Sequence, residues 1–372
     1  MLNSNKIFVL TNPTIRYMKY IIACGGTGGH IYPGIAIANE LKRSTDNDVL
    51  FIGVNGHMEI DILKNNGFEI HGIDIIGLNR KNLFKNIFLI PKLIKSFFQS
   101  MSIVKNFNPD TIIGMGGYVT VPVVIAAKLC GKTIYLQEQN AVPGLANKML
   151  HRFARKVFTG FPNMEKYFGD KSIYTGNPTI NPDINTDSNS AYEYFNLSTE
   201  RPIALIIGGS LGAKNIIDTI LKNNKTFANN NIQILLSIGK NNNIEDFKNR
   251  YKFDNSFIKV LSYIDRMDYA YSIASIVVSR AGAITISELC NYKKPTIFIP
   301  SPNVTNNHQM KNVRQLILTN SAILIEEKNI DALPTKIIQL INDKEQLEQL
   351  SEKISKYSKP TAAHDIVNYV KL

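Results

Sequence analysis

The sequence predicts an α/β protein built from two doubly wound parallel-sheet domains that face a cleft. Three observations carry that prediction. Short apolar strands alternate with amphipathic helices along the chain, the pattern of parallel sheets with right-handed crossovers. The 372 residues suffice for two domains, each able to bury a full core. Glycine-rich turns follow several of the strands directly, and sheets of this kind bind ligands beyond the carboxyl ends of their strands.

Residues 1–17 read as a loose extension ahead of Met18, with one short apolar run (Ile7–Leu10) and no small-residue cleavage site. In the first half, strands are expected at Tyr20–Ala23, Val49–Gly53, Thr111–Gly114, Thr133–Leu136 and Lys156–Thr159, with a helix at about Pro33–Leu41. The polar stretch Asn181–Ser190, rich in Asn, Asp, Pro and Ser, reads as an interdomain linker. A second set of strands is expected at Ile203–Ile207, Ile232–Ser237, Phe257–Val260, Ile276–Ser279, Thr296–Ile299 and Ala322–Ile325.

Composition narrows the class. No uninterrupted apolar run approaches the ~18–20 residues that span a bilayer. Cys24, Cys130 and Cys290 form no CxxC or Cys/His cluster, so they read as reduced, buried thiols. A net charge of +12 asks for an anionic partner. Nucleic acid is disfavoured, because helix-turn-helix, zinc-finger and aromatic single-strand signatures are all missing from the sequence.

The charge is concentrated between Gly77 and Pro109, which carry Arg80, Lys81, Lys85, Lys92, Lys95 and Lys105 and no acid. Within it, Leu83, Phe84, Ile87 and Phe88 share one helical face beside Arg80, Lys81 and Lys85. That face reads as a dock for an anionic membrane surface. A second helix is expected from Pro91, with Ile94, Phe97, Phe98 and Met101 as a core stripe.

Four turns carry the chemistry. The first, Gly25-Gly-Thr-Gly-Gly-His30, leads from a strand into a helix, where backbone N–H groups favour phosphate. It is not the dinucleotide fingerprint: Ile31 stands where the last glycine of GxGxxG belongs. The second is Gly114-Met-Gly-Gly-Tyr118, and the third is Gly208-Gly-Ser-Leu-Gly-Ala213, a pyrophosphate cradle with Ser210 as an added donor. In the fourth, Ser279–Glu288, Arg280 at a helix mouth suits diphosphate and Glu288 suits ribose hydroxyls. Asp46-Asn-Asp48 mimics a metal-binding DxD, but it precedes its strand and reads as a solvated turn.

With Gln137-Glu-Gln-Asn140, Thr175-Gly-Asn-Pro178 and Asn307-His-Gln309, these segments stand in an order that resembles the MurG family, peripheral membrane N-acetylglucosaminyltransferases of peptidoglycan synthesis. The resemblance runs from about Lys19 to the C-terminus. It implies a GT-B fold of two Rossmann-like domains, here 1–180 for acceptor and membrane and 181–352 for the donor, with a final helix about 353–372 packing back on the first. It implies inverting, metal-independent transfer of GlcNAc from UDP-GlcNAc to lipid I at the cytoplasmic face of the cell membrane, with no cofactor.

Carried over by position, the resemblance implies donor contacts from Thr27, Gly28, Gly29, Asn140, Ser210, Ile264 (backbone to uracil), Arg280, Ala283, Ile284, Thr285, Ile286, Ser287, Glu288 and Gln309. Acceptor contacts would come from Gly25, Gly26, Gly116, Gly117 and Tyr118. His30 is either the general base or a donor to the acceptor diphosphate, and Glu138 is the backup base. Three positions depart from the family pattern: Ile180 where Arg is usual, Gln137 where His is common, and the bulkier Val119–Pro122. Other readings are a different GT-B glycolipid transferase or a non-catalytic UDP-sugar-binding membrane protein.

Overall fold

The computed structural model describes residues 17–44, 47–77, 87, 89–180, 186–208, 213–240, 242–302 and 307–371. Seven strands build the first sheet: β1 (Lys19–Ala23), β2 (Asp48–Val54), β3 (Glu69–Ile73), β4 (Thr111–Gly114), β5 (Thr133–Glu138), β6 (Lys156–Thr159) and β7 (Ser172–Tyr174). Six build the second: β8 (Ile203–Ile207), β9 (Gln233–Ser237), β10 (Ile258–Leu261), β11 (Ile276–Ser279), β12 (Thr296–Phe298) and β13 (Ile323–Leu324). The orders are β3-β2-β1-β4-β5-β6-β7 and β10-β9-β8-β11-β12-β13, parallel throughout. Both are doubly wound, as expected. Helices cover both faces, so the central strands are almost continuously apolar; Tyr20 to Ala23 are fully buried.

Strand order reverses between β1 and β4 and between β8 and β11. At such switch points the following loops diverge to opposite faces and leave a crevice. The four glycine-rich turns follow these four strands.

Two strands escaped the sequence reading. β3 is a half-exposed edge carrying Glu69 and His71, and β7 has only three residues, so neither offers a continuous apolar run. The first helix spans Gly28–Ser44 rather than starting at Pro33. Thr27 O accepts the His30 and Ile31 N–H groups, so the helix begins inside the glycine turn, and Pro33 merely withholds an N–H from the Gly29 carbonyl. The expected linker is shorter too: Asp187 caps a helix at Ser188–Phe195 by accepting from the Asn189 and Ser190 N–H groups.

The helix Leu89–Phe107 corrects a further expectation. Phe97 and Met101 pack on the first core, but Ile94 is 53% exposed and Phe98 65%. The buried line is Ser96, Ser100 and Val104 instead. Small serines, whose hydroxyls bond back to Leu93 O and Ser96 O, let this helix pack against helix Thr120–Leu129.

The chain crosses between lobes twice. Helix Lys344–Ser355 belongs with the second core through Ile354. Helix Ala362–Val370 then returns to the first lobe, where Ile366, Val367 and Val370 join Tyr20, Ile22, Ile35 and Phe158. Burying three such side chains contributes on the order of 5 kcal/mol. The His364 Nδ1 and Glu40 Oε1 lie 2.9 Å apart across the same contact. Asn291 fastens both crossings to the second lobe, donating to Thr179 Oγ1 and accepting from Ser358 Oγ and Lys359 N.

Candidate active site

The first and second glycine turns touch. Gly116 and Gly117 adopt φ of +92° and +77°, which side chains resist. A Cβ on Gly117 would lie 3.2 Å from Gly25 O, and one on Gly116 would lie 3.4 Å from His30 Nε2. Bare glycine is what lets the His30 ring sit between the two turns. The ring of Tyr118 closes one side, where a Cβ on Gly26 would lie 3.5 Å from it and one on Gly77 3.1 Å.

His30 Nδ1 is 3.1 Å from Gly25 O and 3.2 Å from Thr27 Oγ1. A carbonyl can only accept, so this contact places a proton on Nδ1 and leaves the Nε2 lone pair facing the Gly116 turn. Burial pushes the imidazole below its ordinary 6.5, outweighing the Gly25 bond and the charge of Glu59, which pull the other way. His30 is therefore neutral at pH 7 and able to take a proton.

Glu138 has a different job. Its carboxylate is buried and accepts from Asn140 N, Asn140 Nδ2, Gly144 N and Asn147 Nδ2 at 3.0 to 3.3 Å. Burial raises its pKa although these four donors oppose the rise. Both oxygens are committed to holding the loop after β5, which makes Glu138 a scaffold rather than the expected backup base.

Polar bonds join the lobes around this point. Asn312 donates to Asn140 Oδ1 at 3.1 Å and accepts from Ala141 N at 2.9 Å. Gln139 donates to Met115 O and Gln137 Oε1, and Gln137 donates to Asn177 Oδ1. Asn177 in turn donates to Ser287 Oγ at 3.1 Å. A chain of buried amides thus runs from the second glycine turn to helix Ala283–Asn291 of the second lobe. Gln137, where the resembled family commonly has His, is a fully buried link in that chain. Tyr32 and Tyr263 hydroxyls meet across the lobes at 3.4 Å.

On the second lobe, helix Ala283–Asn291 starts at Gly282 without a side-chain cap. Its first N–H groups are free of intrahelical partners and lie at the end of β11, an arrangement that favours negative charge. Helix Gly28–Ser44, which begins in the first glycine turn, packs against this helix from the other lobe. Glu288 accepts from the Tyr271 hydroxyl at 3.1 Å, and burial, only partly offset by that bond, raises its carboxyl to about 7. Gln309 accepts from Ser301 N, leaving its amide donors unspent on that bond.

Several expectations change. Arg280 is not poised for diphosphate: Nη1 lies 2.6 Å from Glu327 Oε2 and donates to Ile299 O. Asn215 holds the other Glu327 oxygen, so the guanidinium braces the lobe. The side chain of Ile286 is in the second core, leaving only its backbone to meet a ligand, and that of Ile264 is there too, which fits the backbone contact expected of it. Ile180 is 52% exposed at the lobe junction, without the family's guanidinium. Ser210 lies outside the described residues, as do Arg80, Lys81, Leu83, Phe84, Lys85 and Phe88. Ile87 is described, and it is 73% exposed.

Sequence reasoning missed Glu59, Tyr271 and Asn312, and gave no role to Gln139 and Asn177 within the segments Gln137–Asn140 and Thr175–Pro178. Glu59 stands among His57, Asp61 and Lys64 and Asn312 among Lys311 and Arg314, so neither gave a local signal. Asp48 opens β2 at the end of the sheet opposite the turns. Among the described residues no group of three His, Cys, Asp or Glu side chains could hold a metal ion.

Known proteins resemble this chain over nearly its full length. The glycosyltransferase family 28 N-terminal domain matches residues 20–159, and the family 28 C-terminal domain matches residues 203–366. A protein of Flavobacterium psychrophilum, named UDP-N-acetylglucosamine–N-acetylmuramyl-(pentapeptide) pyrophosphoryl-undecaprenol N-acetylglucosamine transferase, is 42% identical over 95% of this chain and 96% of its own. The crystal structure of Acinetobacter baumannii MurG superposes with a TM-score of 0.73 at 26% identity, covering 95% of this chain and 99% of that one. A Neisseria meningitidis UDP-GlcNAc 2-epimerase superposes at 0.68 with 15% identity over 95% of this chain and all of its own, a likeness of fold alone.

Proposed function

We infer the activity from one premise: this chain belongs to glycosyltransferase family 28. It transfers GlcNAc from UDP-GlcNAc to the MurNAc 4-hydroxyl of lipid I, giving lipid II and UDP, with inversion at the sugar C1. The observation that supports this most is the placement of a neutral His30 between two glycine turns, on a helix that packs against the uncapped helix Ala283–Asn291 of the second lobe.

In this reading the second lobe holds the donor. The N–H groups at Ala283 to Thr285 meet the diphosphate, Glu288 accepts from the ribose, and the Ile264 backbone meets uracil. Gln309 offers its amide to GlcNAc, and Thr27, Gly28, Gly29 and Asn140 close from the first lobe. The acceptor diphosphate lies along Gly25, Gly26, Gly116, Gly117 and Tyr118.

The lipid I 4-oxygen attacks C1 from the face opposite UDP while its proton passes to His30 Nε2. The C1–O bond breaks, and its electron pair leaves on the UDP phosphate oxygen. One helix N-terminus supplies about 0.3–2 kcal/mol toward that charge, so stabilisation depends on several N–H groups converging in a closed crevice.

The enzyme docks as a peripheral protein on the anionic cytoplasmic face of the membrane. The support is the exposed apolar row Ile87, Ile90, Ile94 and Phe98 beside Lys92. Among the described residues no helix is long and apolar enough to cross a membrane. Incubation with labelled UDP-GlcNAc and lipid I tests the function. Label in lipid II is expected; label in another lipid, or none, would replace the reading.

A further inference from the structure

Glu59 has no part in any motif of the sequence or in the roles given above. It lies in the first turn of helix Met58–Asn65, fully buried, and among the described residues no cation pairs with it. An isolated buried carboxylate is costly, so its surroundings indicate what it is kept for. Oε1 accepts from Val54 N at 3.0 Å, and Oε2 accepts from Gly26 N in a longer contact of 3.4 Å. The backbone makes room for it: a Cβ on Gly25 would lie 2.4 Å from Oε1, and one on Gly53 would lie 2.8 Å from Cγ.

The Gly26 N–H and the Gly25 C=O are the two ends of one peptide group. That carbonyl is the partner of His30 Nδ1. We propose that Glu59 is a positioning residue for His30, acting through the Gly25–Gly26 peptide, so that carboxylate, amide and imidazole form one hydrogen-bonded line ending at Nε2.

The physical basis is cooperative. A carboxylate accepting from an amide N–H polarises that amide and makes its carbonyl a stronger acceptor. The stronger acceptor fixes the proton on Nδ1, keeps the Nε2 lone pair toward the Gly116 turn, and favours the imidazolium that forms when the acceptor proton arrives. Catalytic carboxylate–histidine pairs do the same through direct contact; here a peptide group stands between. The proposal rests on the reading of His30 as the base.

The titratable groups around this line are Cys24 at the end of β1, Tyr118 beyond the second turn, and His30 itself. The Cys24 thiol and the Tyr118 phenol are both pushed up, by burial first and then by Glu59, so they stay neutral through the working range.

The test is Glu59→Gln, which keeps the shape and one acceptor oxygen but removes the charge. Nitrogen-15 NMR of His30 in the ligand-free protein reads the tautomer directly. Wild type should carry its proton on Nδ1 at neutral pH, and the variant should show a mixed population and a lower imidazole pKa. In the transferase assay the variant should lose about tenfold or more in kcat, with KM for UDP-GlcNAc within about twofold because no donor contact changes. The acid limb of kcat/KM should move to lower pH.

An unchanged tautomer and pH profile in the variant overturns the proposal. If Glu59→Gln does not fold, Glu59→Asp takes its place: the shorter side chain withdraws the carboxylate from Gly26 N and should give the same mixed tautomer, and an unchanged one, or a wild-type proton on Nε2, overturns the line. A Glu59-dependent tautomer in a protein that transfers nothing to lipid I would leave this geometry standing and remove only the functional reading it rests on.

Discussion

Replacing Glu288 with Gln should stabilise the ligand-free protein at pH 8 while weakening its hold on UDP-GlcNAc. Burial raises the Glu288 carboxyl from the ordinary 4.5 to about 7, against the opposing pull of the Tyr271 hydroxyl. The native protein therefore keeps a proton that the unfolded chain has released. Unfolding free energy from this group is largest below pH 4.5, falls as pH rises toward 7, and is flat above it. At about 1.36 kcal/mol for each pH unit, the rise from 4.5 to about 7 amounts to about 3 kcal/mol. Solvent reaches part of the side chain, and screening trims this to about 2–3 kcal/mol.

Gln keeps an oxygen for Tyr271 and carries no charge, so its stability should not follow this curve. Urea unfolding of both proteins at pH 5, 6, 7 and 8 reads the difference. The gap should open with pH to about 2–3 kcal/mol in favour of the variant. Calorimetry at pH 8 should show weaker UDP-GlcNAc binding by the variant, because ribose hydroxyls lose an ionised acceptor. Parallel stability curves would refute the burial argument, and unchanged affinity would remove Glu288 from the donor site.

The same physics reaches other residues. Asn312→Ala deletes two bonds between the lobes, each worth about 1 kcal/mol, and should raise KM for UDP-GlcNAc up to about 30-fold with kcat little changed. Steady-state kinetics checks it. Burial lowers the His30 pKa, so kcat/KM should hold down to pH 6.5 and then fall as the ring protonates; a limb rising above 6.5 would contradict that sign. Ile94→Ser with Phe98→Ser should cut sedimentation with anionic vesicles several-fold while lowering the melting temperature only slightly, since both side chains are more than half exposed.

Much of the fold was legible because fully buried parallel strands must be apolar throughout. β4, β6, β8 and β11 fall where the runs Thr111–Gly114, Lys156–Thr159, Ile203–Ile207 and Ile276–Ser279 placed them. The edges of the first sheet were not legible, because β3 mixes Glu69 and His71 with apolar residues and β7 is too short to show a period, whereas the edges of the second, β10 and β13, fall on the expected Phe257–Val260 and Ala322–Ile325. The helix Leu89–Phe107 misled for a related reason. Apolar spacing marks a face but does not say whether protein or another phase covers it, and here Ser96 and Ser100 take the protein side.

In the site, glycines and His30 stood out because backbone approach and proton transfer each demand a particular residue type. Arg280 and Glu138 were visible too, but their partners were not. Glu327 lies 47 positions from Arg280, and the amides that fill Glu138 include Asn147, nine positions on. Glu59 and Asn312 act through contacts 33 and 171 or more positions away, which no local pattern records.

The most direct test of the central claim sets turnover against binding in one variant. With His30→Ala, single-turnover transfer of labelled GlcNAc to lipid I should fall by about 10²-fold or more, while calorimetry gives a UDP affinity within about twofold of wild type. Turnover close to wild type would mean that the proton of the attacking hydroxyl goes elsewhere, and the account of the two glycine turns gathered around a histidine base would be wrong.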